Sequence, residues 1–132
     1  MYLNCHSYHS LRYGTIPLNE LVKQAKECNV KAMALTDINT VTGIYDFIKE
    51  CKAVDIKPLV GIEFRQDNKL LFIGLAKNKD GIGEMCRLLT KHNFDKTPLP
   101  IYAPNFNNVF VIYPIENIPV ILKENEFIGM RH

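Results

Sequence analysis

The chain has no tryptophan, no CxxC pair, no long basic run and no apolar stretch of membrane length. Each gap excludes something. Without the ~20 consecutive apolar residues of a spanning helix, no transmembrane segment is expected. Its four cysteines, Cys5, Cys28, Cys51 and Cys86, are too widely spaced for a zinc knuckle. Each falls on an apolar position of an expected strand or helix, so buried free thiols in a reducing compartment are expected. The start, MYLNCHSYH, lacks a basic n-region and an apolar h-region, so it does not read as a signal peptide, and a cytoplasmic location is expected. With 16 basic against 14 acidic side chains the net charge is only +2, which does not mark a strong nucleic-acid surface. No repeat at solenoid period and no low-complexity segment appears.

What is present suits one α/β domain. The hydrophobic share of 47% is enough for a globular core, and 7 Phe and 6 Tyr supply aromatic bulk in the absence of tryptophan. Residues 2–6 read as a first strand and 8–14 as a loop. Thr15 and Pro17 mark a helix start, because proline lacks the N–H that a first turn leaves unpaired. Leu18, Leu21, Val22, Ala25 and Cys28 recur at helical spacing as one buried stripe, and Asn29 ends that helix. A second strand spans 32–35. Thr40 is placed to cap a second helix whose apolar face is Val41, Ile44, Phe47, Ile48 and Cys51. A third strand spans 57–64. The DNK turn at 67–69 joins it to a fourth strand, 70–76, as an antiparallel hairpin. Asp80 is expected to cap a third helix with Ile82, Met85, Leu88 and Leu89 inward. Residues 95–108, rich in Pro and Asn, read as an irregular loop. A strand at 109–113, a short turn or helix in IENIPVIL and a strand opening in EFIGMRH follow. A chain ending on an apolar strand suggests the first part of something longer.

Three polar clusters stand at the C-terminal ends of the first three expected strands: NCHSYHS, LTDIN and GIEF. In a parallel β/α layout such ends gather on one face, where these folds place their chemistry. His6, Asp37 and Glu63 are therefore expected to converge.

These segments resemble the PHP (polymerase and histidinol phosphatase) domain, and more closely the one at the N-terminus of bacterial DNA polymerase III alpha subunits. NCHSYHSLRYG is similar to the family's HxHSxYSLLDG, and ALTDINTVTG to ALTDHGNLxG. IKPLVGIEF is similar to IKPIxGxEF, and LFIGLAKNKDGIGEMCRLLT to LLLAKNxxGYxNLxxLxS. The resemblance covers residues 2–94 and weakens afterwards. It implies a distorted β/α barrel with metal ions at the strand ends, of which 1–132 would be the N-terminal part: a mostly parallel sheet flanked by helices, with one hairpin.

The resemblance also implies a site, and its expected ligands are depleted. The family's first His is Asn4, the Asp of its DG pair is Tyr13, and the His of its TDH motif is Ile38. His6 and Glu63 keep a ligand side chain, and Asp37 is retained. An isoleucine cannot bind a cation and asparagine is a weak neutral ligand, so zinc, manganese or magnesium at His6 and Glu63 would be held weakly if at all. His9, in the adjacent loop, is a candidate auxiliary ligand or an ordinary loop histidine. Each retained residue also has a plain role. Asp37 can cap its turn, and His6 can hydrogen-bond Asn4, Ser7 or Ser10. Glu63, in a buried strand, needs a partner such as Lys, Arg or the Tyr13 hydroxyl. His92, near a helix C-terminus, reads as structural.

Three functions remain open at this point. One is a non-catalytic module of a polymerase alpha subunit, without a cofactor of its own, partnered by the rest of that subunit and touching DNA only through it. Another is an active metal-dependent phosphoesterase or 3′–5′ exonuclease. The third is a free-standing binding protein. A truncated barrel would also leave open strand edges, with 127–130 the stickiest, so self-association is a further expectation.

Overall fold

The computed structural model describes residues 1–130; Arg131 and His132, the last two residues of EFIGMRH, lie outside it. The chain divides into two compact units, 1–62 and 63–132. The first contains β1 (Tyr2–Cys5), α1 (Leu18–Glu27), β2 (Ala32–Leu35), α2 (Ile44–Ala53) and the opening of β3 (Lys57–Gln66). Both strand pairings are parallel. Tyr2 lies opposite Met33 and Cys5 opposite Leu35, with a shift of register between them, while Ala32 to Leu35 run evenly against Lys57 to Val60. Helical crossovers are what parallel neighbours require.

The core of this unit follows from the periodicities. Leu18, Val22 and Ala25 of α1 and Phe47 and Cys51 of α2 pack with Val30, Met33, Leu35 and Ile56. Two expectations need correction here. Cys28 is exposed, because the helix stops at Glu27 and Cys28 is its C-cap. Nor does Thr40 cap α2. That helix starts after Gly43 with no side-chain cap, and the Thr40 hydroxyl bonds Thr42 instead. The cysteine environments vary: only Cys51 is buried, and Cys5 and Cys86 are partly covered. Burial, with the charges of Glu50 and Cys5, pushes the Cys51 thiol up to about 11.

The second unit contains the end of β3, then β4 (Lys69–Ala76), α3 (Lys79–Asp95), β5 (Val109–Pro114), a 3-10 turn at Ile115–Asn117 and β6 (Glu126–Gly129). The hairpin turn of β3 and β4 bends at Asp67, in the left-handed region at φ 54°. β5 is antiparallel to β4, and β6 is parallel to β5. Phe64, Phe72 and Tyr113 form an aromatic core, with Phe64 and Phe72 stacked 4.6 Å apart. Asn78 rather than Asp80 caps α3, its side chain accepting from the Gly81 N–H at 3.1 Å. An N-cap needs extended backbone, and Asn78 has it; Asp80 is already inside the helix. Near the other end, His92 accepts from the Thr97 N–H through its carbonyl and bonds the Thr97 hydroxyl through Nδ1. Among the described residues no helix is long and apolar enough to cross a membrane.

Candidate functional site

In the first unit the polar clusters after β1 and β2 meet around Asp37. This carboxylate is 2% exposed, yet three donors surround it. Oδ1 accepts from the Ser7 backbone N–H at 2.7 Å and from the Ser10 hydroxyl at 2.6 Å, and Oδ2 accepts from the Ser7 hydroxyl at 2.7 Å. Both hydroxyls also accept. Ser7 Oγ takes the His9 N–H at 3.2 Å, and Ser10 Oγ takes the Ile38 N–H at 3.0 Å. Each serine therefore spends its proton on the carboxylate and a lone pair on the backbone, which closes the network. Charge-assisted bonds of this length are the strong kind. Asp37 thus ties the 7–14 loop to the end of β2 instead of capping its own turn.

The other expected site residues of this unit are distributed around that clip. Asn4 is on β1 and exposed, and its Oδ1 accepts from the Thr36 hydroxyl at 2.6 Å. His6 is half-buried just past β1, and Ile38 is half-buried just past Asp37. Tyr13 is exposed in the loop, whose neighbouring Arg12 has φ 73°. That value is unusual for a side chain of this size and is sustained by the surrounding bonds. The His9 ring lies 4.3 Å from that of Tyr8. A Cβ on Gly43 would stand 2.9 Å from His9 Cδ2 and 3.5 Å from Asp37 Oδ2, so glycine lets the start of α2 approach the clip.

Glu63 lies in the second unit. The expectation that GIEF ends its strand is corrected, since β3 runs on to Gln66 and Glu63 is interior to it. Its side chain is wholly buried and pairs with the Nε of Arg65, whose side chain is 11% exposed. Arg65 Nη1 also donates to the Asn68 carbonyl at 3.2 Å. Of the partners expected for Glu63, an arginine is present, though no particular one was anticipated. The signal was available: residues i and i+2 of a strand share a face. Ser7 and Ser10, foreseen only as partners of His6, serve Asp37 instead. Among the described residues no group of three or more His, Cys, Asp or Glu side chains is arranged to hold a metal ion, and no buried side-chain N or O lacks a hydrogen-bond partner.

Comparison with known proteins bears on this arrangement. The profile of the PHP domain matches residues 3–113. The chain belongs to the PHP domain family. Its relatives include the DNA polymerase III alpha subunit of Staphylococcus aureus, 34% identical over 118 residues, a match covering 85% of this chain and 11% of that protein. The alpha subunit of Borreliella burgdorferi is 35% identical over 85 residues, or 64% of this chain and 7% of that protein. This PHP chain is thus homologous to the PHP regions of polymerase alpha subunits and spans about a tenth of their length or less. Two solved structures share the fold. One is a Bifidobacterium adolescentis protein described as a metal-dependent phosphoesterase, with TM-score 0.56 and 16% identity over 70% of this chain and 33% of that one. The other is an amidohydrolase from Chromobacterium violaceum, solved with sulfate and no metal, with TM-score 0.56 and 20% identity over 71% of this chain and 33% of that one. The PHP-type β/α fold is therefore present in part.

Proposed function

We propose that this PHP domain is a non-catalytic structural module of a DNA polymerase III alpha subunit, acting in cytoplasmic replication or repair synthesis. On this reading residues 1–132 are the N-terminal part of a longer PHP domain. Its partner is the remainder of the alpha subunit, and DNA is met only through that parent. The observation that carries the reading is the Asp37 clip, in which a polar cluster at the expected site edge is fully occupied in holding a loop.

The donor set does not fit a resident metal. Ile38 offers no donor atom, Asn4 Oδ1 is engaged by Thr36, and Glu63 is engaged by Arg65. Metal-dependent hydrolysis needs several charged ligands to lower the pKa of a bound water and to clamp phosphate oxygens. His6 and Glu63 alone fall short of that, with or without His9.

The test is metal analysis of the purified chain after dialysis against zinc or manganese, together with hydrolysis of a chromogenic phosphate ester. We expect well under one equivalent of metal and no turnover. A stoichiometric, chelator-resistant ion, with hydrolysis that disappears in Glu63→Gln, would favour the phosphoesterase and sink this reading.

A further inference from the structure

An edge strand presents a row of main-chain N–H and C=O groups, and proteins blunt such edges with charge, proline or a bulge. β6 is the last strand of the sheet order, with β5 on one side only, and it has none of these devices. Its register with β5 is even from Glu126 to Gly129, and residues 127–130 hold no charge and no proline. Glu126, the charged residue of β6, is buried and turned inward. It accepts from the Lys123 N–H at 2.9 Å and the Tyr113 hydroxyl at 3.4 Å. By contrast β1, the first strand of the order, carries a shift of register between Tyr2 and Cys5. We propose that the open edge of β6 pairs with a second copy of itself, antiparallel about a two-fold axis at Ile128. No residue of the depleted site takes part, so this pairing and the structural-module reading stand or fall separately.

The strand is complementary to itself. The Asn125 carbonyl accepts from the Val111 N–H at 2.9 Å. Alternate residues of a parallel strand face its neighbour, so Phe127 and Gly129 point their main-chain groups at β5, and Ile128 points both of its groups outward. In an antiparallel pair centred on Ile128, that residue exchanges both bonds with its own copy, as the hydrogen-bonded pairs of such ladders do. The same centring sets Phe127 opposite Gly129 of the partner subunit. The Phe127 ring, 49% exposed and 5.9 Å from that of Phe110, then covers a residue without a side chain. Ile128, 46% exposed, meets its own copy, and no like charges are opposed. Such a two-fold contact uses one patch twice and closes at the dimer. A foreign strand must supply a matching apolar pattern, whereas a second copy has it by symmetry.

Sedimentation velocity compares the unaltered chain with Ile128→Lys, Ile128→Pro and Val120→Lys. For so small a contact we expect a Kd of roughly 100 µM, so between about 5 and 500 µM the unaltered chain should pass from under a tenth to over a half dimer. Ile128→Lys opposes two ammonium groups at the axis. Ile128→Pro deletes the outward N–H and leaves the bonds to β5, an edge position where proline is tolerated. Both should stay monomeric throughout and keep the circular dichroism of the unaltered chain. Val120→Lys alters a fully exposed apolar side chain outside β6 and should dimerise as the unaltered chain does. Disulfide capture with copper phenanthroline reads the register. Cys28→Ser/Ile128→Cys should cross-link about ten times faster than Cys28→Ser/Val120→Cys, because only the first brings like positions within disulfide reach. A monomer at the highest concentration overturns the proposal and leaves the edge to a strand of another polypeptide. So do species larger than a dimer, a folded Ile128 variant that dimerises normally, or equal cross-linking rates. Loss of the dimer in Val120→Lys also overturns it, marking an unspecific apolar contact. Should Ile128→Pro unfold, Ile128→Lys and the cross-linking rates decide.

Discussion

Replacing Asp37 by alanine removes the acceptor for three donors at once: the Ser7 N–H, the Ser7 hydroxyl and the Ser10 hydroxyl, all within 2.7 Å of the carboxylate. Hydrogen bonds to a charged group contribute roughly 1.5–3 kcal/mol each, and a buried donor left without a partner costs about 1–3 kcal/mol. The three are not additive. Both hydroxyls can rotate towards other acceptors, whereas the Ser7 N–H cannot. A net loss of about 3–5 kcal/mol follows. For 132 residues the unfolding entropy is about 0.28 kcal/mol/K, so that loss lowers the midpoint by about 11–18 °C. Asp37→Asn is the informative partner. Its amide oxygen can keep the two bonds to Oδ1, and its NH2 can donate to the Ser7 hydroxyl once that rotates. Only charge assistance is lost, about 1–2 kcal/mol or 4–7 °C. Scanning calorimetry of the two variants checks the order, and amide exchange at Ser7 and Ile38 checks the place, since both N–H groups belong to the network. If alanine melts within a degree of the unaltered chain, or asparagine melts below alanine, the clip does not hold the loop as argued.

The second unit and the cysteines supply further tests. Burial acts to raise the Glu84 carboxyl. The hydrogen bonds from the Asn108 side chain and the Asn107 and Asn108 backbones, with the Arg87 charge, outweigh it and hold the group below its ordinary 4.5. The contribution of these Glu84 bonds is therefore complete above pH 4.5 and is lost as pH falls through the lowered value. The Asn107 and Asn108 amide resonances should titrate below pH 4.5 and cease to do so in Glu84→Gln; a midpoint above 4.5 would contradict the sign. Asn78→Ala should cost about 1 kcal/mol in urea unfolding by removing the α3 cap, whereas Asp80→Ala should cost less. Gly81→Ala should lose about 1–3 kcal/mol, because its Cβ would stand 2.1 Å from the Asn108 carbonyl oxygen, a backbone atom that cannot swing aside. With iodoacetamide at neutral pH, exposed Cys28 should react first, and Cys51, buried and raised to about 11, should stay unmodified until the chain unfolds.

The alternation of apolar and polar residues by itself determined where the strands and helices lie. Burial on one face imposes a period of 3.6 on Leu18, Val22 and Ala25 and leaves a near-continuous apolar run in LVGIEF, whatever else the chain does. The DNK turn was equally legible, because few residues tolerate the left-handed bend that Asp67 adopts. Motif order along residues 2–94 was enough to point to the PHP family. What the sequence could not decide was which polar group satisfies which. Thr40 and Asp80 are good capping residues by type, yet Gly43 and Asn78 hold those positions, because a cap depends on the backbone angle at the helix start and not on residue preference. Cys28 continued the apolar stripe in register and is nevertheless exposed, since the helix ends one residue earlier. Asp37 could have capped its own turn, as the sequence allowed. Only the folding of the 7–14 loop against the end of β2 brought Ser7 and Ser10, some thirty residues away in the chain, within 2.7 Å of it. Hydrogen bonds between residues so distant in sequence leave no periodic trace, so tertiary structure alone decided what the retained carboxylate does.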